Sequence, residues 1–259
     1  MCRAVTNMLE ALLKGKLPGE MKNREDVLTS MIFGAFRREP TKRRILEFLN
    51  KAEPISGSKP DFAKCCQIKY EDYEFWPQWS NQDIGSCEPD VFIGIDRAKE
   101  KPLYVLIEAK YDSGISSPAT TDGPINHQLA KEWCHLKRKA DEKNAEPWMI
   151  YLTKDFGPSD PKKDFQEAFQ EVKNKRGEQA ANDMHISWLS WRSLSDLYSN
   201  DSDAALKDIS DAARCLGLVW FQTEWCYEIL PESNYKFGNR QREFSWPPNV
   251  YRNTWRFSA

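Results

Sequence analysis

The sequence lacks the features of a membrane protein, of an exported protein and of a disulfide scaffold. No window approaches the roughly 18 uninterrupted apolar residues that a membrane-spanning helix requires. The segment 1–22 has no long apolar core and no small-residue cleavage site, so we expect no export signal. The seven cysteines form no CxxC pair, which favours reduced thiols in a cytoplasmic protein and argues against an iron–sulfur centre.

Several common catalytic signatures are also absent. The chain contains no GxSxG, HExxH, GxGxxG or GxxxxGK(S/T) motif, which argues against a hydrolase triad, a zinc protease, a dinucleotide enzyme and a P-loop enzyme. The net charge of −2 is mildly adverse for a nucleic-acid-binding protein. Phosphate binding, however, needs only basic residues that are concentrated on one face.

What the sequence does contain is an apolar hairpin pattern within the segment 85–110. Two runs of mostly apolar residues, Asp90–Ile95 and Leu103–Ala109, are separated by a charged turn and are typical of buried strands. Glu108 and Lys110 stand two residues apart, so we expect their side chains on the same face, with Ala109 on the other. Antiparallel pairing of the two strands would bring Asp90 beside Glu108.

This arrangement predicts a cation-binding site. Two carboxylates and one ammonium at the end of an apolar hairpin are costly to bury unless they are paired or hold a cation. A hard divalent ion such as Mg²⁺ takes one or two carboxylates, water and substrate phosphate in this kind of site.

The same residues carry a resemblance to a known family. Pro89-Asp90 followed by Glu108-Ala109-Lys110 resembles the PD-(D/E)xK motif of the restriction-endonuclease-like nuclease superfamily. The resemblance implies an α/β sandwich with a central mixed β-sheet flanked by helices. It also implies Mg²⁺, with Mn²⁺ as a substitute, ligated by Asp90, Glu108 and the carbonyl of Ala109. Lys110 would orient or deprotonate the attacking water and stabilise the developing phosphorane charge.

Two further residues extend the resemblance. In many members of the superfamily a helix before the core strands supplies another acid to the metal site, and Glu25 is the candidate. Gln128, near the start of a helix after Glu-x-Lys, is similar to the supporting Gln of RecB-like members, with Trp133 near the family's Tyr. Each has a structural alternative: Glu25 in a first helical turn favours the helix dipole, and Gln128 could be a plain exposed position.

The helix that begins near Asn126 also offers a basic face. Lys131, His135 and Arg138 follow Gln128 at spacings of three, four and three, so we expect them along one exposed face that contacts nucleic-acid phosphates. The opposite stripe of this helix is apolar and includes Leu129 and Trp133.

The rest of the chain predicts alternating helices and strands. We expect helices at Arg24–Arg37, Thr41–Lys51, Asp164–Lys175 and Asp203–Leu216, strands at Ile68–Trp79, Pro147–Thr153 and His185–Ser190, a weak helix at Thr6–Lys14 and a loop at Glu53–Asp61. The periodicity independently predicts an α/β sandwich around a mixed sheet. We assign 1–219 to the nuclease-like domain and 220–259 to an aromatic-rich extension that packs on the core or on a partner.

The function predicted from these residues is metal-dependent hydrolysis of phosphodiester bonds. The resemblance to the superfamily implies an endonuclease that acts on DNA in restriction or phage defence, with a homodimer or a partner protein in the assembly. The alternative is an inactive nuclease-fold module that binds nucleic acid or assists assembly. A glycosidase-like carboxylate pair fits poorly, because Lys110 beside Glu108 would hold that acid ionised.

Overall fold

The structure is a computed structural model that describes residues 25–39, 43–111, 115, 117, 124–159, 161–201, 203–220, 228–229 and 251–252. Its helices are α1 (Glu25–Arg38), α2 (Arg43–Leu49), α3 (Gln128–Glu142), α4 (Lys162–Arg176), α5 (Glu178–Asn182), α6 (Ser193–Leu197) and α7 (Ala204–Cys215), with a 3-10 turn at Phe62–Lys64. Its strands are β1 (Glu53–Pro54), β2 (Cys65–Phe75), β3 (Trp79–Asn81), β4 (Gly85–Cys87), β5 (Val91–Arg97), β6 (Leu103–Ala109), β7 (Glu146–Thr153), β8 (Ile186–Ser190), β9 (Glu228–Ile229) and β10 (Tyr251–Arg252).

A six-stranded mixed sheet forms the centre of the first part of the chain. Its strand order is β1-β8-β7-β6-β5-β2. The neighbours β6, β7 and β8 run parallel, while β2, β5 and β6 form an antiparallel meander and β1 pairs antiparallel with β8. The predicted α/β architecture with a mixed sheet flanked by helices is therefore confirmed.

Alternation along β6 divides its side chains between two apolar layers. Leu103, Val105 and Ile107 pack with α1, α2, α6 and α7 on one face of the sheet. Leu106 packs with α3 and α4 on the other face. Because Glu108 follows Leu106 by two positions, its side chain lies on the α3 face, at the end of the strand. This placement allows α3 to reach the side chain of Glu108.

The predicted strands and helices lie close to the observed ones, with two instructive differences. The strand Leu103–Ala109 has the predicted bounds. The predicted strand Ile68–Trp79 is wrong at its end, because β2 stops at Phe75 and Trp76 adopts a left-handed φ of 46°. The predicted loop Glu53–Asp61 is wrong at its start, where β1 pairs as an edge strand, a position that tolerates a proline.

The chain divides into two compact units, residues 1–220 and 221–259. In the second unit the described residues form the antiparallel pair β9–β10. The weak helix predicted at Thr6–Lys14 and the predicted packing of the aromatic extension lie outside the described residues. No helix in the described part of the chain combines the length and the apolar composition needed to cross a bilayer.

Candidate active site

The β5–β6 hairpin places Asp90 and Glu108 next to each other. Val91 pairs with Ile107, so the residues just beyond this pair face each other across the two strands. The Oδ2 atom of Asp90 accepts a hydrogen bond from the backbone N–H of Ala109 at 2.7 Å. Asp90 and Glu108 are 7% and 2% exposed, respectively. The predicted juxtaposition of the two acids is therefore present.

Lys110 closes this group of side chains. Its Nζ atom lies 2.5 Å from Glu108 Oε1 and 3.4 Å from Glu25 Oε1. The backbone of Lys110 is fixed on both sides: its N–H donates to Leu152 O at 2.7 Å, and its carbonyl accepts from Trp191 Nε1 at 3.2 Å. The ammonium is therefore carried by a rigid strand end and pairs with two carboxylates.

Glu25, the first residue of α1, reaches the same site from a helix that precedes the sheet. Besides its contact with Lys110, its Oε2 atom accepts a hydrogen bond from the backbone N–H of Tyr111 at 2.9 Å. The helix-dipole alternative does not by itself account for this position, because the carboxylate is directed to the end of β6. The structure thus places Glu25 with Glu108 and Lys110.

Gln128, the first residue of α3, contacts the site from another helix. Its Nε2 atom donates to Glu108 Oε1. The start of α3 is held by Glu171, a buried residue of α4, whose two carboxylate oxygens accept the N–H groups of Asn126 and His127 at 3.0 and 2.6 Å. A carboxylate at a helix N-terminus satisfies orphan N–H groups and complements the dipole. Glu171 therefore fixes the position of Gln128.

Glu132 is a site residue that the sequence reasoning missed. It lies one turn after Gln128 and is 1% exposed, and interactions with the side chains of Gln128 and Glu108 lower its pKa in part against the effect of burial. A signal was present: Glu132 stands within the apolar stripe, three residues after Leu129 and four before Leu136. A buried acid in such a stripe requires a partner.

Burial sets the protonation of these acids. Burial, followed by repulsion from Glu108, raises the pKa of Asp90 to about 8. Burial, followed by repulsion from Glu132, raises the pKa of Glu108 well above its ordinary value, and burial raises the pKa of Glu132 to about 8. Burial lowers the pKa of Lys110, but the attraction of Glu108 and Glu25 outweighs it and the net shift is upward. The site thus carries an excess of acid that favours protons or cations.

A cleft of about 410 Å³ opens onto these residues. Its lining consists of Asp26, Trp76, Glu88, Asp90, Glu108, Lys110 and Gln128. Trp76, with its left-handed backbone, lies at this cleft next to Asp90, whose carbonyl accepts the Trp76 N–H at 3.0 Å. Non-glycine residues in this conformation are costly and tend to occur at functional sites.

The predicted nucleic-acid-binding face of α3 is only partly exposed. Lys131 and Arg138 are half-buried, and Arg138 forms an ion pair with Glu142 at 2.8 Å. The expectation that His135 faces solvent is wrong: it is fully buried, and its Nε2 lies 2.9 Å from the carbonyl oxygen of Gly85. The physical reason is the β3–β4 hairpin, which packs over this part of α3.

No three His, Cys, Asp or Glu side chains within the described ranges converge closely enough to enclose a metal ion by themselves. A Mg²⁺ site does not require three, since water and substrate phosphate complete it. No protein-family model, no curated protein and no solved structure matches this chain. We therefore infer the function from the geometry of the site itself.

Proposed function

We propose that this chain is a metal-dependent nuclease of the PD-(D/E)xK type, with a restriction-endonuclease-like fold. The observation that carries the proposal is the convergence of Asp90, Glu108 and Lys110 at one end of a buried hairpin. Glu25 and Gln128 join them from two helices, α1 and α3. Several acids that are buried around one lysine add little to the stability of the fold. Their presence therefore favours a role in binding a cation.

The residues fit a divalent cation. Glu108 Oε2 is buried and has no hydrogen-bond partner among the described residues, and the nearby carboxylate of Asp90 is the second acidic donor. Asp90, Glu108 and the carbonyl of Ala109 would hold the ion, with oxygen donors only, as Mg²⁺ and Mn²⁺ prefer. When bound, such an ion polarises the phosphate and lowers the pKa of a coordinated water.

The protein's own groups orient the reactants. The ion pairs of Lys110 with Glu108 and Glu25 keep its ammonium charged and fixed, so it can donate a hydrogen bond to the attacking water or to a phosphate oxygen as negative charge develops. Gln128 holds the Oε1 side of Glu108 in place. Preorganised donors of this kind stabilise a transition state because they need not reorient during the reaction.

The cleft is of a size that suits a nucleotide. Its volume of about 410 Å³ lies within the range of small-ligand pockets, and the ring of Trp76 offers an aromatic surface on which a base can stack. The phosphodiester as reacting group follows from the resemblance, and the acid–lysine arrangement fits a metal ion together with a phosphate. DNA as the substrate, a homodimer or partner protein, and restriction or phage defence as the setting follow from the resemblance.

A cleavage assay with a lysine variant tests the proposal. Purified protein is incubated with Mg²⁺ and labelled single-stranded DNA, duplex DNA and RNA, comparing wild type with Lys110→Met. Removal of one preorganised donor is expected to lower turnover by about 10²–10³. Lys101→Met, at an exposed lysine in the β5–β6 turn, serves as the matched control and is expected to cleave like wild type.

Circular dichroism establishes whether Lys110→Met is folded, since the substitution leaves carboxylates without their ammonium. Turnover that is undiminished in a folded Lys110→Met protein refutes the assignment of the site. Binding of the same nucleic acids by wild type without hydrolysis of any of them, with either Mg²⁺ or Mn²⁺, replaces the proposal with an inactive nucleic-acid-binding module.

A further inference from the structure

Glu132 forms a second carboxyl pair with Glu108, in addition to the pair of Asp90 and Glu108. The two side chains come from different elements, β6 and α3, and both are almost completely buried. Glu132 Oε2 and Glu108 Oε2 each lack a hydrogen-bond partner among the described residues, whereas Gln128 and Lys110 engage Glu108 Oε1. Gln128, one turn before Glu132 on α3, donates to Glu108 Oε1, so the two glutamates lie at the same place in the fold. Two neighbouring buried carboxylates disfavour each other's ionisation unless a proton or a cation lies with them.

The charge around this pair is unbalanced. The ammonium of Lys110 forms ion pairs with Glu25 and Glu108, and the site also contains the buried carboxyl groups of Asp90 and Glu132, which leaves an excess of negative charge when all four are ionised. Backbone N–H groups compensate two of the acids: Ala109 donates to Asp90, and Tyr111 donates to Glu25. Glu132, by contrast, is 1% exposed, and its Oε2 atom has no hydrogen-bond partner among the described residues. Its carboxylate therefore calls for a further positive partner.

No three acidic or other ligating side chains within the described ranges converge on a common point. Glu108 neighbours both Asp90 and Glu132, and of these three acids it is the one that forms an ion pair with Lys110. The acids are therefore arranged as two pairs that share Glu108, and each pair by itself has the carboxylate count of a water-completed Mg²⁺ site.

We propose that Glu108 and Glu132 bind a divalent oxygen-seeking cation, Mg²⁺ or Mn²⁺, at a position separate from the one between Asp90 and Glu108. This inference rests on the proposed function, because it enlarges the same metal centre. The second ion takes the place of the proton between the two carboxyl groups and removes negative charge that would otherwise repel a phosphate. Glu132 is then a metal ligand that the PD-(D/E)xK motif does not include.

The alternative is that Glu132 is a permanently protonated structural acid. Glu132→Gln separates the two cases, because a glutamine amide has the shape of a protonated carboxyl group and can also donate to Glu108. If Glu132 is a protonated structural acid, its replacement by glutamine leaves cation binding unchanged. If Glu132 is a cation ligand, the same replacement removes or weakens the binding of one cation. Circular dichroism and a cooperative thermal transition show whether the variant is folded.

Calorimetric titration of Mn²⁺ and Mg²⁺ into chelator-treated protein provides the test, with and without a non-cleavable phosphorothioate oligonucleotide. The proteins are wild type, Glu132→Gln, Asp90→Asn and the control Glu142→Gln, which makes the same chemical change at an exposed position of α3. We expect two equivalents of Mn²⁺ for wild type and for Glu142→Gln. We expect Glu132→Gln and Asp90→Asn to lose one equivalent each, or to weaken one step by at least ~10-fold, as loss of a metal-site partner does.

Wild-type stoichiometry and affinity in Glu132→Gln overturn the inference. If wild type binds one equivalent that Asp90→Asn loses and Glu132→Gln keeps, the inference fails while the proposed nuclease site stands. If wild type binds no divalent ion in either condition, the inference fails, and hydrolysis in the cleavage assay then decides separately on the proposed function. A smaller Mn²⁺-induced rise in melting temperature for Glu132→Gln than for Glu142→Gln provides an independent supporting readout.

Discussion

Asp90 is bound to the backbone between the two other motif residues: its Oδ2 atom accepts the N–H of Ala109 at 2.7 Å. The acid that precedes β5 thereby fixes the relative position of Glu108 and Lys110 at the end of β6. The same carboxylate also lines the cleft. Asp90 thus has both a structural role, through an acceptor oxygen, and the proposed ligand role, through its charge.

The two roles of Asp90 separate in two variants. Asp90→Asn keeps an oxygen that accepts from Ala109 N–H, whereas Asp90→Ala leaves this buried N–H without a partner. We therefore expect Asp90→Ala to lose about 1–3 kcal/mol of unfolding free energy relative to Asp90→Asn. Urea denaturation in the presence of a chelator measures this difference, and equal stability of the two variants would contradict the structural role.

Glu132→Gln is expected to change the pH dependence of stability in metal-free protein. Burial raises the pKa of Glu132 from 4.5 to about 8, so the folded state holds a proton that the unfolded chain releases. A carboxyl with a raised pKa stabilises the fold fully below its unfolded value, and this contribution is lost as pH rises through the folded value. Wild type is thus expected to lose stability between pH 4.5 and 8 relative to the glutamine variant.

Denaturant titrations at about pH 5, 6, 7 and 8 with a chelator present measure this effect. The stability of Glu132→Gln minus that of wild type should increase with pH. Glu142→Gln provides the baseline for an exposed glutamate on the same helix. A difference that is constant across the series, or that declines with pH, would show that Glu132 is not held protonated in the metal-free fold.

Glu171 is predicted to position Gln128 through the start of α3. Glu171→Ala removes the acceptor of two N–H groups, and loss of a helix cap costs about 0.5–2 kcal/mol. Because Gln128 directly follows the capped residues, we expect turnover to fall while the affinity for divalent ions at Asp90 is retained. Comparison with Glu178→Ala, at an exposed glutamate in the first turn of the neighbouring helix α5, controls for general destabilisation. Wild-type turnover in Glu171→Ala would show that Glu171 contributes to stability and does not position Gln128 for catalysis.

The half-buried cations of α3 and the buried histidine should behave differently. Lys131→Ala and Arg138→Ala are expected to weaken nucleic-acid binding without preference for sequence. The salt dependence of the affinity should become shallower by about 0.9 for each duplex phosphate that the variant no longer neutralises. His135→Ala is expected to lower stability, because it removes the hydrogen bond with the Gly85 carbonyl and opens a cavity. Fluorescence anisotropy at several salt concentrations measures the binding affinity of the cation variants, and urea denaturation measures the stability of His135→Ala. An unchanged salt slope in both cation variants would remove this face from the binding surface.

Local patterns were sufficient to predict the hairpin and its acids. The apolar run Leu103–Ala109 is long, rich in branched residues and bounded by charge, and the period of two fixes Glu108 and Lys110 on one face. Antiparallel pairing then brings Asp90 to Glu108 with no further information. These are short-range constraints, which one sequence expresses directly.

The features that sequence reasoning missed depend on contacts between distant segments. His135 has the spacing of an exposed position, but it is covered by the β3–β4 hairpin and bonded to Gly85, 50 residues earlier in the chain. Glu171 accepts the N–H of His127, the residue just before α3, which lies 44 residues earlier in the sequence. Glu132 could have been identified from the sequence, because an acid between Leu129 and Leu136 interrupts the apolar stripe. Its role in the site, however, is visible only in the tertiary fold, which places Glu132 next to Glu108.

The proposed metal-dependent nuclease activity is tested most sharply by the rate of nucleic-acid hydrolysis as a function of Mg²⁺ concentration, for wild type and for Asp90→Asn. This variant keeps the hydrogen bond to Ala109 and removes only the charge, so its fold provides a matched background. We expect hydrolysis by wild type that requires the divalent ion and is abolished by a chelator, with a loss of at least ~10²-fold in Asp90→Asn. Hydrolysis that persists with the chelator, or a wild-type rate in Asp90→Asn, would contradict the proposed activity.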